Sequence, residues 1–138
     1  MIVVLDTNVL VAGLVAHGLC HELLERSIRL RLMASSAPLL EELDATLQRK
    51  FTITPRVKTF LDAYRQSLVL VVPVTLPHPV CRDADDDVVL GTAVAAGATV
   101  IVSGDQDLLV LRDYNGIPII NPRAFVEFLD RSVAQKNT

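Results

Sequence analysis

The sequence predicts an α/β protein, a three-layer α/β/α sandwich around a central parallel sheet. Three observations carry that expectation. Short β-branched runs alternate along the chain with segments of helical length and periodicity. Each run is apolar without interruption, the mark of a strand covered on both faces. Acidic or hydroxyl residues that suit a helix start come soon after most of the runs.

Ile2 to Leu5 is the first run, and Asp6-Thr7-Asn8 after it is helix-capping chemistry. Val9 to Ala16 then reads as a short helix closed near Gly18. His21 to Leu30 is amphipathic, with Leu23, Leu24, Ile28 and Leu30 on one side, and Arg31 to Ser35 is a weak strand. Ser36 caps a helix that has Pro38 in its first turn and Leu39, Leu40, Leu43 and Leu47 as its buried stripe. Thr54-Pro55 repeats that opening, with Val57, Phe60, Leu61, Tyr64 and Leu68 as the stripe. Leu68 to Val74 is a further strand-like run, stopped by Pro73 and Pro77.

Asp83 to Asp87 opens a helix that runs to Gly97; acids in a first turn suit the helix dipole. Ala98 to Ser103 is a strand ending at Gly104-Asp105, and a short helix follows through Leu108, Leu109 and Leu111. Ile117 to Ile120 is the last strand, and Asn121-Pro122 opens a final helix to about Leu129. Residues 1–131 read as one domain and 132–138 as a frayed polar tail.

Hydrophobic residues make up 51% of the 138, enough for a sizeable core and too many for a disordered chain. Aromatics are 4% with no Trp, which argues against holding a nucleic acid by stacking bases on aromatic platforms. Net charge is −3, but it is unevenly spread. Residues 26–65 hold eight basic and four acidic groups, and the rest of the chain five basic and twelve acidic. A basic half beside an acidic half suits a cation site that meets a polyanion, although solvated helix faces give the same pattern. Cys20 and Cys81 make no disulfide framework, and with His21 and His78 they match no standard zinc spacing. No basic leader and no long apolar stretch is present, so a soluble, cytoplasmic protein without a membrane span is expected.

The acids carry the chemistry. They lie in four distant segments: Leu5-Asp6-Thr7-Asn8, Leu40-Glu41-Glu42-Leu43, Asp83-Ala84-Asp85-Asp86-Asp87 and Ser103-Gly104-Asp105-Gln106-Asp107. In a parallel α/β sheet the functional crevice lies beyond the carboxyl ends of the strands, where Asp6 and Asp105 fall. Carboxylates gathered there repel one another, and a hard cation such as Mg2+ or Mn2+ is what holds them ionised. Such an ion lowers the pKa of a bound water, polarises phosphoryl oxygens and screens a leaving group, all of which a phosphodiester requires. Each acid alone has a plainer reading: Asp6 as a helix cap, Glu41 and Glu42 as surface groups, Asp83 to Asp87 as dipole-favouring acids, Asp105 as a turn residue. Glu42 borders the apolar stripe through Leu43 and Leu39.

Those motifs, in that order and spacing, resemble PIN-domain ribonucleases of the VapC type, the toxins of bacterial and archaeal toxin–antitoxin pairs. The resemblance runs from Val3 to about Leu129. It implies that Asp6, Glu42, Asp86 and Asp105 are the catalytic, metal-holding carboxylates, with Asp107 a further ligand. In two places the register stays open: Glu41 for Glu42, and Asp85 or Asp87 for Asp86. Asn8 and Ser103 would orient the carboxylates by hydrogen bonds. Arg49, Lys50, Arg56 and Lys58 are the candidate RNA contacts. The resemblance further implies Mg2+- or Mn2+-dependent hydrolysis of single-stranded RNA, a homodimer and a cognate antitoxin. One departure is Gly91, where the subgroup tends to have a larger residue. The alternatives are a non-catalytic PIN-like module that binds RNA or protein, and a phosphatase of the haloacid-dehalogenase type. Asn8 disfavours the latter, which needs an acid two residues after its nucleophile.

Overall fold

A computed structural model of the chain describes residues 1–136, with side-chain surroundings to Ser132. The order is β1 (Val3–Leu5), α1 (Thr7–Val15), α2 (Leu19–Arg29), β2 (Ala34–Ser35), α3 (Ala37–Lys50), α4 (Pro55–Ser67), β3 (Val69–Leu70), α5 (Ala84–Ala96), β4 (Val100–Val102), α6 (Gln106–Leu109), β5 (Asp113–Tyr114), β6 (Ile117–Ile120) and α7 (Pro122–Lys136). Four strands pair in the order β1-β4-β6-β5, and β2 pairs with β3. A parallel bridge between Val3 and Met33 joins the two sets at β1. The sheet thus runs β3-β2-β1-β4-β6-β5.

Strand residues alternate between two cores, as period-two geometry requires. Val3, Leu5, Val100 and Val102 face a core shared with Leu10, Leu14, Leu23, Leu24, Tyr64 and Phe125. Val4, Ile101 and Ile119 face the other side, against Val89, Leu90 and Ala93 of α5 and Leu108 of α6. Helices therefore cover both faces, and the three-layer expectation holds. One correction concerns the sheet, which is mixed. Asp113 and Tyr114 pair antiparallel with Pro118 and Ile117. The Asn115-Gly116 turn between them has positive φ at both residues, 50° and 79°, the conformation that makes Asn-Gly a hairpin signal.

Two boundaries also differ. The run from Leu68 to Val74 was expected to be a strand, but only Val69 and Leu70 pair, and they do so at the edge of the sheet. The chain then leaves the sheet as a strap across α5, where the Val74 amide donates to the Gly91 carbonyl at 3.1 Å. At the other end α7 continues through Lys136 instead of stopping near Leu129. Residues 137 and 138 of the expected polar tail lie outside the described residues.

The strap explains Gly91. A Cβ there would collide with the Val74 carbonyl oxygen, which is backbone and cannot rotate aside. Ala is intrinsically better than Gly in a helix by about 1 kcal/mol. We expect the clash to outweigh this, so that Gly91→Ala destabilises the fold by about 1–3 kcal/mol. Urea unfolding checks it: the midpoint should fall, and a raised midpoint would mean that the strap does not pack there. No single helix among the described residues is long and apolar enough to cross a membrane.

Candidate metal centre

Strand register builds the centre of the site. Leu5 of β1 lies beside Val102 of β4, so the next residues, Asp6 and Ser103, leave the sheet side by side. The Asp6 amide still donates to the Val102 carbonyl at 2.9 Å, which fixes its backbone. The Asp6 carboxylate is buried, and each oxygen accepts one hydrogen bond. Oδ1 takes the Thr7 amide at 2.8 Å and Oδ2 takes the Ser103 hydroxyl at 2.8 Å. Ser103 Oγ in turn accepts the Asp105 amide at 2.9 Å. A single hydroxyl thus ties together the ends of two parallel strands, the orienting role expected of Ser103.

Asp105 caps α6, its Oδ1 accepting the Asp107 amide at 2.9 Å. Asp86 enters from the first turn of α5 and Glu42 from the middle of α3. Within the acidic run of α5 the three candidates divide by position. Asp86 is 9% exposed and feels the charges of Asp105 and Asp6. Asp87 turns back, its carboxylate accepting the amides of Val80 at 3.1 Å and Cys81 at 2.8 Å. Asp85 is exposed. Glu42 is half-buried and feels Asp85, Asp6 and Asp83, whereas Glu41 is exposed.

The electrostatics are those of uncompensated like charges. Burial raises the Asp6 carboxyl above the ordinary range; its hydrogen bonds from Ser103 and Thr7 pull the other way, and Asp105 adds to the rise. Burial, then Asp105 and Asp6, push Asp86 up to about 6. Glu42 is raised by burial and then by Asp85, with Asp6 and Asp83 adding. No cation contributes to any of the three shifts. Asp6, Glu42 and Asp86 thus each feel at least one other carboxylate, and their surroundings resist the ionisation of these three.

The donor chemistry fits a hard divalent ion, which takes carboxylate oxygens and offsets their repulsion. The fit is one of chemistry first. Among the described residues no three His, Cys, Asp or Glu side chains are already gathered around one point. Ligation at about 2.1 Å therefore requires side-chain rotation.

Six further expected residues lie outside this carboxylate set. Asn8 is exposed and makes no hydrogen bond to a carboxylate among the described residues. It lies one residue beyond Thr7 on α1, about 100° round the helix, and this turns it out of the site. Asp107 pairs with Arg82 at 2.6 Å, so acting as a ligand would require breaking that pair. Arg49 and Lys50, at the end of α3, and Arg56 and Lys58, at the start of α4, are all exposed. Arg49 follows Glu42 by seven residues on one helix. Seven residues are two turns, about 10 Å, so both project from the same side of α3. Arg56 also meets the His17 ring at 3.3 Å.

Thr7 is the site residue that sequence reasoning missed. Its hydroxyl is buried with no partner at hydrogen-bond distance, yet lies close enough to Glu42 to favour the charged carboxylate. The available signal was its place between Asp6 and the buried first turn of α1.

An α/β sandwich with neighbouring carboxylates beyond the ends of its parallel strands defines a class of acid-centred α/β proteins. The sequence matches the PIN domain family over residues 2–107, and the chain belongs to that family. PIN domains are generally nucleases and typically bind divalent metals. An uncharacterized protein of Methanocaldococcus jannaschii is 29% identical over 147 aligned residues, covering 96% of this chain and 94% of its own. Among solved structures, the fold is similar to the crystal structure of VapBC2 from Rickettsia felis bound to a DNA fragment from their promoter. That match has a TM-score of 0.61 at 17% identity and covers 88% of this chain and 98% of the other.

Proposed function

We propose that this protein is a metal-dependent endoribonuclease, the toxin of a toxin–antitoxin pair. The observation that carries the reading is the acid set of a PIN domain: Asp6, Glu42 and Asp86 raised by burial and by neighbouring carboxylates with no cation offsetting them, and Asp105 acting on both Asp6 and Asp86. Bound Mg2+ or Mn2+ would supply water activation and neutralise charge on the phosphoryl group. The chain's own part is to hold the oxygens. The Ser103 hydroxyl would keep the Asp6 carboxylate from rotating, and the α5 first turn would deliver Asp86. Without metal, Asp86 takes up a proton below a pH of about 6 and so loses an oxygen donor. The exposed cations Arg49, Lys50, Arg56 and Lys58 would draw in the phosphate backbone. Hydrolysis adds water across the P–O3′ bond, leaving a 5′-phosphate and placing a proton on the departing 3′ oxygen.

The similarity in fold to the VapBC2 structure supports the antitoxin part of the reading. A homodimer belongs to the same proposal. Val69 and Leu70 on the sheet edge, and Val72 just beyond it, are 55%, 63% and 85% exposed in an uncharged stretch, a surface that favours association. A cytoplasmic location belongs to the same proposal.

The test is incubation of the purified protein with end-labelled single-stranded RNA, with Mg2+ or Mn2+ and with EDTA. Cleavage with divalent ions, 5′-phosphate products and none with EDTA are expected; identical lanes would refute the reading. One observation favours the alternative of a non-catalytic RNA- or protein-binding module, namely the ungathered carboxylates. Tight RNA binding without metal, and no cleavage under any divalent ion, would be its signature.

A further inference from the structure

Arg82 has no part in the site as derived so far. Among the described residues, its ion pair with Asp107 at 2.6 Å is the only salt bridge made by any acid of the site. Arg82 also lies near enough to Asp105 to feel its charge. The side chain is 87% exposed, and one nitrogen makes its one hydrogen bond among the described residues. A guanidinium has five N–H donors, so most of its fork still faces solvent.

The backbone beneath it is fixed on both sides. Just before Arg82, the amides of Val80 and Cys81 are held by the Asp87 carboxylate. Just after it, Asp83 caps α5 and accepts the Asp85 amide at 2.9 Å. The turn is anchored while the side chain above it is free to exchange partners. An exposed pair of this kind adds little stability, so Asp107 holds Arg82 only loosely.

The geometry points to Arg82 as a substrate-phosphate anchor, parked on Asp107 at the rim of the acidic centre and transferred to a phosphate of the incoming strand. This rests on the ribonuclease reading for the identity of the strand. The physical reason is a conflict in that reading. A polyanion must approach five carboxylates, and among the described residues none of Arg49, Lys50, Arg56 and Lys58 pairs with any of them. Arg82 stands at the centre's edge. Its planar fork matches two phosphate oxygens, which a lysine ammonium matches only as a point charge. Asp107 would then compete with substrate for Arg82 rather than ligate metal.

The test measures binding, so that it does not depend on turnover. In an Asp6→Asn background, the affinity for a fluorescent single-stranded oligoribonucleotide is read by anisotropy across a salt series, with Mn2+ present. Arg82→Ala should weaken binding by about tenfold. It should also lower the salt slope by about 0.7, the share of one phosphate contact on a single strand. A structural role alone would leave that slope unchanged. Arg82→Lys should restore the slope with only part of the affinity. Asp107→Asn should tighten binding, and by less once Arg82 is gone, because competition needs both partners. Unchanged affinity and slope in both Arg82→Ala and Arg82→Gln would overturn the assignment. The two readings fail separately. An unmutated protein that cleaves while Arg82 variants bind normally sinks only the anchor. One that never cleaves but binds through Arg82 sinks only the nuclease.

Discussion

Asp6→Asn is expected to reduce divalent-dependent RNA cleavage by more than about 100-fold while the protein stays folded. Losing an outer partner of a metal site already costs roughly 10–100-fold, and Asp6 is proposed as a direct oxygen donor to the ion. The fold survives because Asn keeps a carbonyl oxygen where Asp6 Oδ1 accepts the Thr7 amide. Buried Asp6 is also a carboxylate that its surroundings resist charging, so a neutral replacement relieves that cost. The check is a cleavage time course beside a thermal melt of the metal-free protein. Activity within a few-fold of the unmutated chain would remove Asp6 from the chemistry. A melt that collapses would instead make it a structural cap.

The second large effect concerns Asp86 and has a definite sign with pH. Its carboxyl is pushed up to about 6 in the folded protein, above the ordinary aspartate value of 3.8. A group raised on folding contributes stability that is full below its unfolded pKa and is lost as pH rises through the folded one. For metal-free protein, Asp86 thus contributes fully below about pH 4, and the contribution fades as pH rises through about 6. Asp6 and Glu42 are shifted in the same direction. The metal-free protein should therefore melt higher at pH 5.5 than at pH 7.5. Mg2+ or Mn2+ should shrink that difference by favouring the ionised carboxylates. Asp86→Asn should raise the melting temperature at pH 7.5 without metal, flatten its rise toward pH 5.5, and abolish cleavage. A variant that melts lower than the parent at pH 7.5 would show that the Asp86 charge is compensated in the folded protein.

Much of the fold was legible because its strands are short, apolar and β-branched, and buried on both faces. Val3–Leu5 and Val100–Val102 are such runs, and their parallel pairing follows from the helices between them. Leu68 to Val74 misled for the same reason. An apolar run resembles a buried strand, and only the sheet order reveals that this one forms an exposed edge and then a strap. Its partner Gly91 was visible as an oddity, but the carbonyl that requires it lies seventeen residues earlier. Asn115-Gly116 was a readable turn signal, hidden by a β5 only two residues long.

The site was legible to the extent that strand ends locate it. Asp6, Ser103 and Asp105 follow from β1 and β4 alone. The choice of Asp86 over Asp85 and Asp87 depends on which way a helix rolls against the sheet, and packing decides that rather than spacing. Asn8 shows the limit from the other side, since one residue's rotation along α1 carried it out. The pairing of Asp107 with Arg82 joins segments twenty-five residues apart, beyond what local pattern can show.

The account depends most on one ion shared by Asp6, Glu42, Asp86 and Asp105. Crystals soaked in Mn2+ and measured for anomalous scattering test it most directly. The predicted result is a peak about 2.1 Å from carboxylate oxygens of Asp6 and at least two of the other three. Carboxylates ordered in that crystal with no peak among them, or a peak held by other residues, would contradict it.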